Sequence, residues 1–201
     1  MTRTAVITGL GATTPIGGDV PTFWSHALQG VSGARTMEHD WVEKYELPVT
    51  FAAELTVPTS EVLSKVEQKR QDPATQMATV AAREAWKDAG LEGAEVDGDR
   101  LAVAFGTGIG GVWTLLDGWD TLRERGPRRV LPMTVPMLMP NGAAGALSLE
   151  FGARAGARTV VSACAAGTEA LETALAVRPD VCVLDVQMPR MTGLQAAREI
   201  R

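Results

Sequence analysis

The stretch TVVSACAAGTEAL, residues 159–171, decides the fold. Its first part, TVVSA (159–163), is an apolar β-branched run that reads as a buried strand. The run that follows, AAGTEALETALA (165–176), is built from strong helix formers. Cys164 stands at the join. A thiol at a helix N-terminus meets backbone N–H groups that have no intrahelical partner, and these favour negative charge. The placement therefore favours the nucleophilic thiolate. Thiolates attack thioesters well, and an acyl enzyme then stores the acyl group between two half-reactions. A lone cysteine is otherwise a small packing residue, so the surrounding sequence has to separate the two readings.

Upstream, LAVAF (101–105) is a second run that reads as a buried strand. It ends in GTGIGG (106–111), whose four glycines let the backbone turn sharply or approach a ligand closely. Helices are predicted at 112–124 and 141–151. The clearest helix is 73–89, with Asp72 at the N-cap, Pro73 at the first helical position and Gly90 just past the end. Met77, Val80, Ala81 and Ala85 share one of its faces. Near the start, RTAVIT (3–8) reads as a strand running into the turn GLGATTPIGG (9–18). VPTFWSHALQ follows as a helix, capped by Asp19 and stopped by Gly30. Residues 31–60 are rich in Pro, Ser and Thr, with one strand candidate at VTFAAEL (49–55). Strand and helix alternate, which indicates an α/β fold.

Composition narrows the function. The chain has 201 residues, 45% of them apolar, room for one ordinary domain or a domain and a fragment. A net charge of −5 argues against a general nucleic-acid binder, and one Tyr with four Phe gives no base-stacking platform. The two cysteines, Cys164 and Cys182, have no zinc-site spacing, and no metal or cofactor is expected. No signal peptide and no run of roughly 20 apolar residues is seen, so the expected compartment is the cytoplasm, without a membrane.

VVSACAAGTEAL (160–171) closely resembles the active-site segment of the β-ketoacyl-acyl-carrier-protein synthases, condensing enzymes of the thiolase superfamily. VITGLGATTPIG resembles their opening strand and loop, AFGTGIGG the loop beside the acyl pocket, and residues 126–164 the segment leading to the nucleophile. The likeness is to the chain-elongating type that works on discrete carrier proteins. It implies a thiolase-like α/β fold, a mixed sheet with packed helices, present as its N-terminal half over residues 1–167. It also implies that Cys164 takes an acyl chain from acyl-carrier protein. Malonyl-carrier protein is then decarboxylated and attacks the thioester, giving a 3-ketoacyl product two carbons longer. Ile109 matches the position that lines or gates the acyl pocket. Lys65, Lys69 and Arg70, with Arg128 and Arg129, match positions that dock the acidic carrier protein. The parent family is homodimeric.

The family's two catalytic histidines and its lysine belong to a second half with no counterpart here. His26 and His39 match neither catalytic position, so complete condensation by this chain alone is not expected. After Gly167 the likeness fades. The tail, 168–201, resembles the middle of a response-regulator receiver domain, a helix–strand–helix piece of a flavodoxin-like fold. Asp185, at the end of PDVCVLD, takes the phosphoacceptor position there. The receiver's acidic pair, hydroxyl residue and lysine have no matching segments, so a phosphorelay fragment is the lesser reading. A join within 165–171 would make the chain a chimera, and RPDVCVLD could then stand in for the parent enzyme's next strand. The glycines of TGLGATTPIG also loosely imitate a dinucleotide-binding loop. However, Val49 stands four residues after the only tyrosine, Tyr45, where a short-chain oxidoreductase needs lysine.

Overall fold

The computed structural model describes residues 6–177. In chain order its elements are α1 (Val20–Gln29), β1 (Ala34–Thr36), α2 (Asp40–Lys44), β2 (Phe51–Ala53), α3 (Lys65–Arg70) and α4 (Pro73–Asp88). Then come β3 (Ala102–Thr107), α5 (Val112–Arg125), α6 (Thr134–Leu138), α7 (Gly142–Phe151), β4 (Gly156–Val161) and α8 (Ala166–Val177). The α/β expectation holds. The described strands form two separate pairs. β1 and β2 are antiparallel, with Ala34 opposite Ala53. β3 and β4 are parallel, in register from Ala102 opposite Gly156 to Thr107 opposite Val161. A parallel pair needs a crossover, and α5, α6 and α7 supply it.

Local chemistry sets the helix bounds. The Asp19 carboxylate accepts from the Thr22 N–H at 2.7 Å, and Gly30 at φ +69° ends α1. Ser64 and Glu67 form a reciprocal capping box at the start of α3. α4 is the organising helix. Its Ala78 and Ala82 form a core with Ala143 and Leu147 of α7, against which Val103, Phe105 and Phe151 pack. Trp86 stacks on Phe151 with ring centroids 4.5 Å apart.

The glycine-rich turn serves this helix. A Cβ on Gly11 would stand 1.8 Å from the Ala81 carbonyl oxygen, so only glycine permits the contact. Glu84 accepts from the N–H groups of Ala12 and Val20, both at 2.8 Å, and Asp88 from that of Leu10 at 2.9 Å. Carboxylates occupy the N–H groups that a phosphate would need, which removes the dinucleotide reading.

Three expectations are corrected. Residues 6–8 of the predicted RTAVIT strand are irregular, with Val6 exposed and no partner strand for them among the described residues. VTFAAEL shortens to Phe51–Ala53, which is a strand through pairing with Ala34–Thr36, a segment without strand signal. The strands read as buried are not fully so. β3 is half-buried throughout, and β4 exposes Val161. Residues 181–184, proposed as the next strand, lie outside the described residues. Among those described, no helix is long and apolar enough to cross a membrane.

Arg83 of α4 ties α3 to α7 through Glu67 and Glu150. Hydrogen bonding with Ser64, then with Arg83, holds the Glu67 carboxyl down from an ordinary 4.5 to about 2. Glu67→Gln should therefore lower stability at pH 7 by about 1 kcal/mol. Because the folded value lies below the unfolded one, the contribution is complete above the unfolded value and is lost as pH falls toward about 2. Urea unfolding of parent and variant should show the gap shrinking by more than half by about pH 3. A gap of constant size would refute the assignment.

Candidate active site

Cys164 is carried on a sharp turn between a strand and a helix. β4 ends at Val161, a single 3-10 turn spans Ala163–Ala165, and α8 begins at Ala166. The Ala165 N–H donates to the Ser162 carbonyl at 3.0 Å and closes the turn. Ala163 lies at φ +49°, a left-handed conformation that costs an L-residue about 1 kcal/mol. That conformation turns the chain out of β4 and presents Cys164 as an exposed, free thiol at the entrance to α8. The strand–thiol–helix order expected from sequence is therefore found.

A cavity of about 320 Å³ opens beside the thiol. Its walls are mainly apolar, with Met77 and Ala81 from α4, Leu147 from α7 and Leu171 from α8. All six consecutive residues Val103–Gly108 touch it. Alternate residues of a strand face opposite sides, so a cavity meeting the five strand residues Val103–Thr107 in succession reaches both of its faces. β4 takes one edge of β3.

Gly106 brings the two halves of the site together. A Cβ there would meet the Ala166 carbonyl oxygen at 2.3 Å and the Gly167 nitrogen at 2.9 Å. The close approach anticipated from GTGIGG is thus made to the first turn of α8, directly after the nucleophile. Ile109, predicted at the acyl pocket, is 70% exposed and stands just beyond the cavity lining, which the loop leaves at Gly108.

The basic residues lie on two surfaces. Lys65, Lys69 and Arg70 are exposed on α3. Arg128 and Arg129 are exposed on the 3-10 turn Pro127–Arg129, directly after α5. Among the described residues none of the five has an acidic partner within 4.0 Å. Arg123 and Arg125 in the last turn of α5 precede the second cluster, an extension that sequence reading missed. Neither histidine lines the cavity. His26 Nδ1 lies 2.6 Å from the Ile16 carbonyl oxygen. His39 Nε2 lies 2.6 Å from Glu54, and its ring stacks on Trp41.

The family described as Beta-ketoacyl synthase, N-terminal domain, matches residues 2–183. The chain belongs to the β-ketoacyl synthase family. Among its curated relatives, a 3-oxoacyl-[acyl-carrier-protein] synthase 2 of Mycobacterium tuberculosis is 41% identical over 169 residues, 84% of this chain and 40% of that protein. The chain thus spans about two-fifths of the length of the curated relatives it matches. Among solved ketosynthases, a β-ketoacyl synthase from Burkholderia phymatum superposes with a TM-score of 0.71 at 28% identity, over 86% of this chain and 43% of that one. A type II PKS acyl-carrier protein in complex with its ketosynthase shares the fold alone. Its TM-score is 0.70 at 20% identity, over 98% of this chain and 55% of that one. The family match runs past Gly167, where likeness was expected to end. Asp185 lies outside the described residues.

Proposed function

We propose that Cys164 accepts an acyl group as a thioester, the loading half of β-ketoacyl synthesis. The observation carrying this reading is one exposed thiol at a strand-to-helix turn, set on the rim of an apolar cavity. The thiolate adds to the carbonyl carbon of an acyl thioester. The tetrahedral intermediate collapses, the donor's sulfur leaves and takes up a proton, and a new thioester remains on Cys164. An alkyl chain fits beside Met77, Leu147 and Leu171 by apolar burial.

The full reaction that the resemblance implies is decarboxylative condensation with malonyl-acyl-carrier protein in fatty acid or polyketide elongation. That half needs acid–base groups at the thioester, and His26 and His39 are bonded elsewhere. We therefore assign the loading half to these residues. Intact mass after incubation with an acyl thioester tests it. A single hydroxylamine-labile adduct on Cys164 is expected. No adduct on a thiol that iodoacetamide still alkylates would overturn the reading.

The same reading makes an acyl-carrier protein the donor, docked on Lys65, Lys69, Arg70, Arg128 and Arg129, and a second copy of the chain its dimer partner. Arg128→Glu with Arg129→Glu should raise the concentration of acyl-carrier protein needed for half-maximal loading by about tenfold. Loading from a small soluble thioester should be unchanged, since that donor carries no acidic surface. Equal effects on both donors, or none on either, would exclude docking at these arginines.

A further inference from the structure

We propose that Asp72 is a positioning residue for the loop at the mouth of the Cys164 cavity, which it holds through the first turn of α5. The inference depends on the acyl-loading reading only for what the cavity binds. Asp72 is 1% exposed. One carboxylate oxygen accepts from the Ala74 N–H of its own helix at 2.9 Å. The other accepts from the N–H and the hydroxyl of Thr114, at 3.0 and 2.7 Å. Thr114 is the third residue of α5, whose own N-cap is Gly111 and has no side chain to offer. One carboxylate thus caps two helices, and the positive ends of both dipoles meet on it.

The loop between β3 and α5 is the short segment Gly108–Gly111. Three of these four residues are glycine, so the loop has little stiffness of its own and takes its position from its ends. One end is Thr107, fixed by pairing with Val161, and its hydroxyl also accepts from the Gly110 N–H at 3.2 Å. The other is Gly111, wedged so tightly that a Cβ would lie 3.0 Å from the Asp72 carboxyl carbon and 2.3 Å from the Met137 carbonyl oxygen. Thr107 and Gly108 line the cavity together with Cys164. A shift at the start of α5 therefore passes to the cavity mouth within a few residues.

Asn at position 72 makes the case testable. Its amide can still cap α4 through oxygen, but its NH₂ then faces the Thr114 N–H, donor against donor, and the Thr114 hydroxyl must turn round to accept. The start of α5 must move away, and the loop with it. The probe is alkylation of Cys164 by N-ethylmaleimide and by a long-chain N-alkylmaleimide, with the site assigned by peptide mass so that Cys182 is counted separately. Asp72→Asn should raise the rate of the long reagent relative to the short one by about tenfold, as the loop swings off the mouth. Thr114→Val, which removes only the hydroxyl donor, should move the ratio the same way by less. Thr114→Ser should restore it. A parental ratio in folded Asp72→Asn and Thr114→Val would overturn the proposal. If Asp72→Asn does not fold, the Thr114→Val and Thr114→Ser pair decides by the same ratio. Maleimides need no acyl donor. Failure of Cys164 to load an acyl group would leave this ratio untouched, and an unchanged ratio would leave acyl loading standing.

Discussion

Cys164→Ser should abolish the acyl adduct. The hydroxyl keeps the shape of the site, but without a general base beside it an alcohol is a far weaker nucleophile than a thiolate. Loading should fall by about 10⁴-fold or more, on the scale seen when a nucleophile is removed from other covalent enzymes. The measurement is intact mass against time with an acyl thioester in excess. Cys182 makes the variant informative, because it leaves a second thiol in the chain. An adduct persisting in Cys164→Ser would place the chemistry on Cys182 or on no defined site. Cys182→Ser, in contrast, should load at the parental rate.

Gly106→Ala should damage both folding and loading with a single added methyl. The new Cβ would sit 2.3 Å from the Ala166 carbonyl oxygen, which belongs to helix backbone rather than to a side chain able to swing aside. To relieve the contact, α8 must lift from β3 by about 1 Å, at an overpacking cost of about 1–3 kcal/mol. The nucleophile lies two residues before the clash, so the displacement carries Cys164 with it. A misplacement of that size can lower loading by about 100-fold. Gly108→Ala is the control. A Cβ there meets nothing within 4 Å and no left-handed φ is involved, so stability should stay within about 0.5 kcal/mol. Urea unfolding with loading rates distinguishes the pair. Equal behaviour of the two variants would mean that α8 does not rest on Gly106.

These predictions differ in how far sequence alone could reach them. α1 and α4 are legible because their signals are local: Asp19, Pro21 and Gly30 for one, Asp72, Pro73 and Gly90 for the other. Cys164 is legible for the same reason, since strand formers precede it and helix formers follow. β1 is not. Ala-Arg-Thr has no apolar alternation and all three residues are exposed, so it becomes a strand only through a partner that begins at Phe51. α6 contains Pro136 and lacks a side-chain cap, which hides it in a sequence read for caps and periodicity. The second bond of Asp72 joins residues 42 apart in the chain, and nothing near either one announces the other. Ile109 is the reverse case. The resemblance placed it at the pocket, and in the structure it is an exposed side chain one residue past Gly108, where the cavity lining ends.

The left-handed turn at Ala163 separates two properties that mutation could otherwise alter together. The address of the sulfur is written in main-chain geometry, by the exit from β4, one strained residue and a hydrogen-bonded turn. The room beside it is shaped by side chains such as Met77, Leu147 and Leu171, which come from three different helices. Exchanges among those side chains can lengthen, shorten or widen the room while the reactive atom stays where it is. A lineage of such chains can therefore drift in what it accepts without having to rediscover how to react.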